Sequence, residues 1–179
     1  MTTPDPVLEF SRTLPWGAIG PEGRRQAWTA TAAECAALAR RFDIPAIHDF
    51  AVELQLEHER GGTIRCRGRL LAHVVQSCVV TLEPVEQAVE EAVDLRILPP
   101  GRLPADDPEG PDEIETERGS IELGEPLAEQ LSLALDPYPR APGAVLPEAD
   151  LEEDEEAPEA EAPARPNPFA VLKGGRKDP

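Results

Sequence analysis

The stretch Ile64–Leu70, IRCRGRL, sets an arginine at every second position: Arg65, Arg67 and Arg69. In an extended strand successive side chains point to opposite faces, so all three cations share one side. A row of guanidinium groups suits phosphate, and Arg24, Arg25, Arg40 and Arg41 could extend such an RNA-binding surface. The same residues also suit a solvated sheet face on which Glu53 and Glu57 neutralise them. Base-stacking aromatics are scarce, at 4% of the chain, and Phe10, Trp16, Trp28, Phe42, Phe50 and Tyr138 are scattered. Internal pairing is therefore the main expectation, and direct RNA contact through Arg65, Arg67 and Arg69 the alternative.

Other reactive side chains are few. His48, His58 and His73 are the only imidazoles, and none stands at a metal-ligand spacing or beside a nucleophile motif. Cys35, Cys66 and Cys78 are odd in number and widely spaced, unlike a disulfide framework or a zinc site built from close pairs. Nothing cationic adjoins Cys78 to activate its thiol. No catalytic residue, metal or other cofactor is expected. Wide cysteine spacing fits a reducing compartment, and no leader-like or membrane-length apolar run occurs, so a cytoplasmic protein is expected.

Elements that could position these groups follow from periodicity. Thr31 and Glu34 stand in the capping-box relation at the head of TATAAECAALARRF, and Cys35, Leu38, Ala39 and Phe42 then fall on one helical face. Asp43 and Pro45 close that helix. From Phe50 to Val75 the period becomes two, which predicts a hairpin with Arg60, Gly61 and Gly62 in its loop. Register follows from keeping the glutamates off the apolar side: Glu57 opposite Arg65, Gln55 opposite Arg67, Glu53 opposite Arg69, and His58 on the apolar side. VLEFSRTL reads as a short edge strand.

Residues 85–98 satisfy both helical and strand periods, and their β-branched content tilts them toward strand. Residues 99–119, rich in Pro and acid, read as a mobile loop. IELGEPLAEQLSLAL predicts a second helix with Pro126 in its first turn and Leu127, Leu131, Ala134 and Leu135 on one face. The fold class is therefore α+β: an antiparallel sheet, with a central hairpin at about 50–75 and flanking strands, two packed helices and a disordered acidic tail. The domain is expected at 7–140 and the tail, with its short basic end, at 141–179.

Charge is distributed unevenly. The chain carries 35 acidic against 17 basic residues, a formal net charge of -18, and half of it comes from nine Asp/Glu between Glu148 and Glu161. Removing that block leaves an acidic body, which repels bare phosphate and attracts basic proteins.

CRGRLLAHVVQSCVVTLEPVEQAVEEAVDLRILP resembles the YceD family, the large ribosomal RNA subunit accumulation proteins. The resemblance extends over ATAAECAALARRFDIPAI, IELGEPLAEQLSLALDPYPRAPGA and NPFAVLK. Many members carry Cys-x-Arg-Cys-Leu-x-Pro where this chain has CVVTLEP. Cys78 matches the first cysteine, Val80 stands at the arginine and Thr81 at the second cysteine, while Leu82 and Pro84 are kept. Some members also have cysteines after the equivalent of LDPYPR, where this chain has none.

The resemblance implies a non-enzymatic ribosome-biogenesis factor that supports 23S rRNA accumulation, with its gene often beside that of a small basic ribosomal protein. The expected partner is a basic large-subunit ribosomal protein or a pre-ribosomal rRNA–protein intermediate, with no membrane involved. Glu83, Pro84, Tyr138 and Arg140 are the candidate contact residues.

Overall fold

The computed structural model describes residues 8–105 and 110–145. Its strands are β1 (Thr13–Pro15), β2 (Arg24–Thr29), β3 (Ala46–His58), β4 (Ile64–Ser77), β5 (Pro84–Ile97), β6 (Asp112–Ile114), β7 (Thr116–Glu117) and β8 (Ser120–Glu122). Its helices are α1 (Ala32–Arg41) and α2 (Gly124–Ala134). Five strands form one sheet in the order β2-β3-β4-β5-β6, antiparallel except for β5 with β6, and β1-β8-β7 form a second. This is the α+β class that the periodicities predict.

The long β3–β4 hairpin has the expected register: Glu57 faces Arg65, Gln55 faces Arg67 and Glu53 faces Arg69. The loop closes with the Glu59 amide donating to the Thr63 carbonyl at 2.9 Å, and Gly61 and Gly62 both take positive φ. A one-residue slip would have turned Val52, Leu54 and Leu56 toward water, and this fixes the pairing. Those three join Ile64, Cys66, Leu70, Val89, Val93, Leu95 and Ile97 in the core. The opposite side of the hairpin carries Glu53, Arg67 and Arg69 in solvent, as an antiparallel sheet covered on one face allows.

α1 starts as the sequence predicts. The Glu34 amide donates to the Thr31 hydroxyl, and the Glu34 carboxylate accepts from the Thr31 amide at 2.7 Å. It ends where Asp43 turns to φ +55°, with the Asp43 amide donating to Arg40 and the Ile44 amide to Ala39, which satisfies the last free carbonyls. Arg12 then grips the same Glu34 through two nitrogens at 2.7 and 2.9 Å, while lying over the Phe10 ring. The N-terminal segment is thereby tied to α1.

That grip has a pH signature. Hydrogen bonds from Arg12, then from Thr31, pull the Glu34 carboxyl down to about 2. A carboxyl lower in the folded than in the unfolded chain adds stability above its ordinary range and loses it as pH falls toward the folded value. Arg12→Met is expected to flatten the decline in stability between about pH 4.5 and pH 2, removing on the order of 2 kcal/mol at neutral pH. Urea melts across that range are the measurement, and parallel wild-type and variant curves would refute the role of Arg12.

Two expectations change. The edge strand read over VLEFSRTL is only Thr13–Pro15, because Phe10 instead turns inward, 1% exposed, onto Phe50. Residues 85–98 are strand, as their β-branched content suggests, with β5 paired to β4 from Pro84 to Ile97. The expected mobile loop 99–119 is ordered in its second half: β6 lies parallel to β5, the Leu98 amide donates to Ile114, and buried Thr116 donates its hydroxyl to the Leu98 carbonyl at 2.6 Å. Acidic composition suggested solvent, but the backbone groups of β5 supplied partners. The tail from residue 146 onward lies outside the described residues. Among those residues no helix is long and apolar enough to cross a membrane.

Candidate functional site

The connection between β4 and β5, residues 78–83, is a turn organised around one sulfur. The Cys78 amide donates to the Glu83 carbonyl at 2.8 Å and the Leu82 amide to the Cys78 carbonyl at 3.0 Å. Its Sγ accepts from the Val80 and Thr81 amides, each at 3.4 Å. The Ala141 amide, then the Thr81 hydroxyl and amide, lower the Cys78 thiol to about 6. Backbone dipoles thus do what the expectation reserved for neighbouring cations. Cys78 is 0% exposed, so its sulfur anchors the turn and offers no reactive surface. Cys66 is the opposite case, pushed up to about 12 by burial, and burial also raises Cys35.

A second segment, the exit from α2, lies against this turn. The Val79 amide donates to the Pro139 carbonyl at 2.9 Å, and Gln76 donates to the Asp136 carbonyl at 2.9 Å. Asp136 also accepts from the Tyr138 amide, which fixes the Asp-Pro-Tyr bend. Glu83, Pro84, Tyr138 and Arg140, distant in sequence, are thereby gathered at one apex and all are exposed.

Sequence reading singled out Leu82 only as a kept motif position and passed over Val79. Leu82 is 78% exposed and sits at φ +61°, while Val79 is 47% exposed. The available signal was an aliphatic run, VVTL, inside a turn closed by Glu83-Pro84, where polar residues are the usual occupants.

On the open sheet face, Arg65, Arg67 and Arg69 are all ion-paired, though not all with the expected partners. Arg69 pairs with Glu53 at 3.0 Å, as the register implies, and reaches Glu90 at 3.8 Å. Arg65 makes a two-nitrogen pair with Asp94, and Arg67 shares that carboxylate at 3.5 Å. Asp94 stands directly opposite Arg67 on β5, closer to both guanidinium groups than Glu57. Arg96 beside them pairs with Glu59 at 3.3 Å and Glu113 at 3.7 Å. A shallow open trough of about 820 Å³ crosses this face, lined by Arg25, Glu53, Gln55, Glu57 and Arg67. Its walls carry both signs, so it has no uniform field for phosphate.

The histidines serve locally. His58 lies at the rim with Nε2 3.0 Å from the Ile19 carbonyl, and His73 pairs with Asp49 at 2.7 Å.

A family model described as the large ribosomal RNA subunit accumulation protein YceD matches residues 66–174. No curated protein and no solved structure gives a significant match. The matched span holds both halves of the apex and two of the three strand arginines, Arg67 and Arg69.

Proposed function

This chain belongs to the YceD family, and from that premise we propose that it supports accumulation of large-subunit ribosomal RNA as a non-enzymatic holder of a basic large-subunit ribosomal protein, or of an rRNA–protein intermediate that contains one. One observation carries the reading: the cations that would make an RNA stripe are engaged within the sheet, with Arg65 and Arg67 sharing Asp94 and Glu53 holding Arg69. What remains is a body whose net charge is strongly negative even before the Glu148–Glu161 block is counted. Such a field attracts cationic proteins and speeds their encounter. Glu83 and Asp136 at the apex are the contact anions, and the acidic block screens the partner's cations until it is delivered.

Affinity purification followed by a salt gradient tests this. A basic large-subunit protein is expected to co-purify and to leave as ionic strength rises, since attraction between exposed charges is screened within about 10 Å at 0.1 M salt. Co-purification of naked RNA alone sinks the proposal and favours the rival reading, direct rRNA contact through Arg65, Arg67 and Arg69. The observation that favours that rival is Arg67, whose side chain is 64% exposed and shares its carboxylate with Arg65.

A further inference from the structure

Charge alone gives no reason for Leu82. Its backbone lies in the left-handed region at φ +61°, where a β-carbon is a cost and glycine is not, and its side chain is 78% exposed. A leucine there forgoes both backbone ease and burial, and strain kept at an exposed position points to function. Its surroundings agree. Six large hydrophobic residues are strongly exposed among the described residues, and three of them, Val79, Leu82 and Tyr138, belong to the two segments that meet at the apex. The hydrogen bond from Val79 to Pro139 sets the β4–β5 turn beside Tyr138. Apolar groups gathered in this way mark an interaction surface.

We propose that this apex is the docking surface for a basic protein partner, which places an aliphatic or aromatic side chain against Leu82, Val79 and Tyr138 while its Lys or Arg residues meet Glu83 and Asp136. The inference rests on the holding function above and adds where the partner sits and that its recognition is partly apolar. Charge decides between occupants. Glu83 and Asp136 outnumber Arg140 beside the apolar residues. A second copy related by twofold symmetry would set Glu83 and Asp136 against their own images, and RNA would meet the same anions.

The test measures binding of the full chain to purified large-subunit ribosomal proteins, each presented singly, at low and at high salt. Wild type is expected to retain part of its affinity for a basic protein when charge is screened. Leu82→Gly is expected to weaken that residual binding about tenfold or more, as loss of an interface anchor does. It should also melt no lower than wild type, because glycine suits the left-handed turn. Tyr138→Ser should reproduce the loss, and Glu83→Lys should weaken binding chiefly at low salt.

If Leu82→Gly and Tyr138→Ser bind a basic protein as tightly as wild type, the apex inference is overturned while the holding function stands. If wild type binds none of these proteins, the holding function itself falls. Concentration-dependent dimerisation abolished by Leu82→Gly assigns the surface to a second copy and also overturns the inference.

Discussion

Gly68→Val is expected to lower the unfolding temperature by about 10 °C, the largest stability effect of any single change considered for this fold. Gly68 lies mid-way along β4, between Leu54 of β3 and Val93 of β5. A β-carbon built there would stand 1.9 Å from the Glu53 carbonyl oxygen and 2.9 Å from its carbon. The obstacle is backbone, so no rotamer change relieves it and the β3–β4 ladder itself must part. Overpacking costs about 1–3 kcal/mol where side chains can yield, and more where they cannot. About 3 kcal/mol is a large share of the roughly 5–15 kcal/mol that holds a domain together. At about 2–4 °C per kcal/mol for a chain of this size, the shift follows. Gly17→Ala is the control, since nothing lies within 4 Å of its β-carbon position. Scanning calorimetry that finds the two variants equally stable would show that β3 does not approach as closely as described.

Asp94→Lys is expected to raise the protein's affinity for RNA by about tenfold or more at low salt. Asp94 is the single carboxylate between Arg65 and Arg67, and its own carboxyl is lowered by the hydrogen bond from Arg65. Reversing its charge frees both guanidinium groups and adds a third cation to the same open face. About three additional phosphate contacts would steepen the slope of log affinity against log salt by about 2 on single-stranded RNA. Stability should hardly move, because a pair with Asp94 47% exposed contributes only about 0–1 kcal/mol. Filter binding of an rRNA fragment from low to high salt is the measurement. Wild type binding as tightly as the variant would mean that the arginine face already reads phosphate, and the holding function would give way to direct rRNA contact.

Together these variants separate two roles of one sheet. Its covered side and close strand approach hold the apex, since the Cys78–Glu83 turn is the connection between its two longest strands. Its open side carries charges of both signs, Arg65 and Arg67 sharing Asp94 and Arg69 pairing with Glu53 and Glu90.

Local rules made much of this legible from the residues alone. The α1 cap needed only Thr31 and Glu34, which meet within one turn of helix, and the β3–β4 register needed only the alternation of apolar and charged positions across a short loop. In both cases the interacting groups are close along the chain, so few arrangements compete. Family resemblance carried by CVVTLEP and LDPYPR pointed to the two segments of the apex but not to their contact.

Three features depended on tertiary structure. Asp94 displaced Glu57 as the partner of Arg65 because a middle strand has two neighbours, and the pattern of residues 85–98 did not say which period would win until β5 paired with β4. The end of the 99–119 segment was ordered by the open edge of β5, whose unpaired amides and carbonyls outweighed an acidic, proline-broken composition. Leu82 took a left-handed backbone because the turn around the Cys78 sulfur required it, and no propensity assigns that conformation to leucine. Sequence determines which groups prefer to be near in the chain; only folding decides which distant groups must satisfy one another once water has been removed from between them.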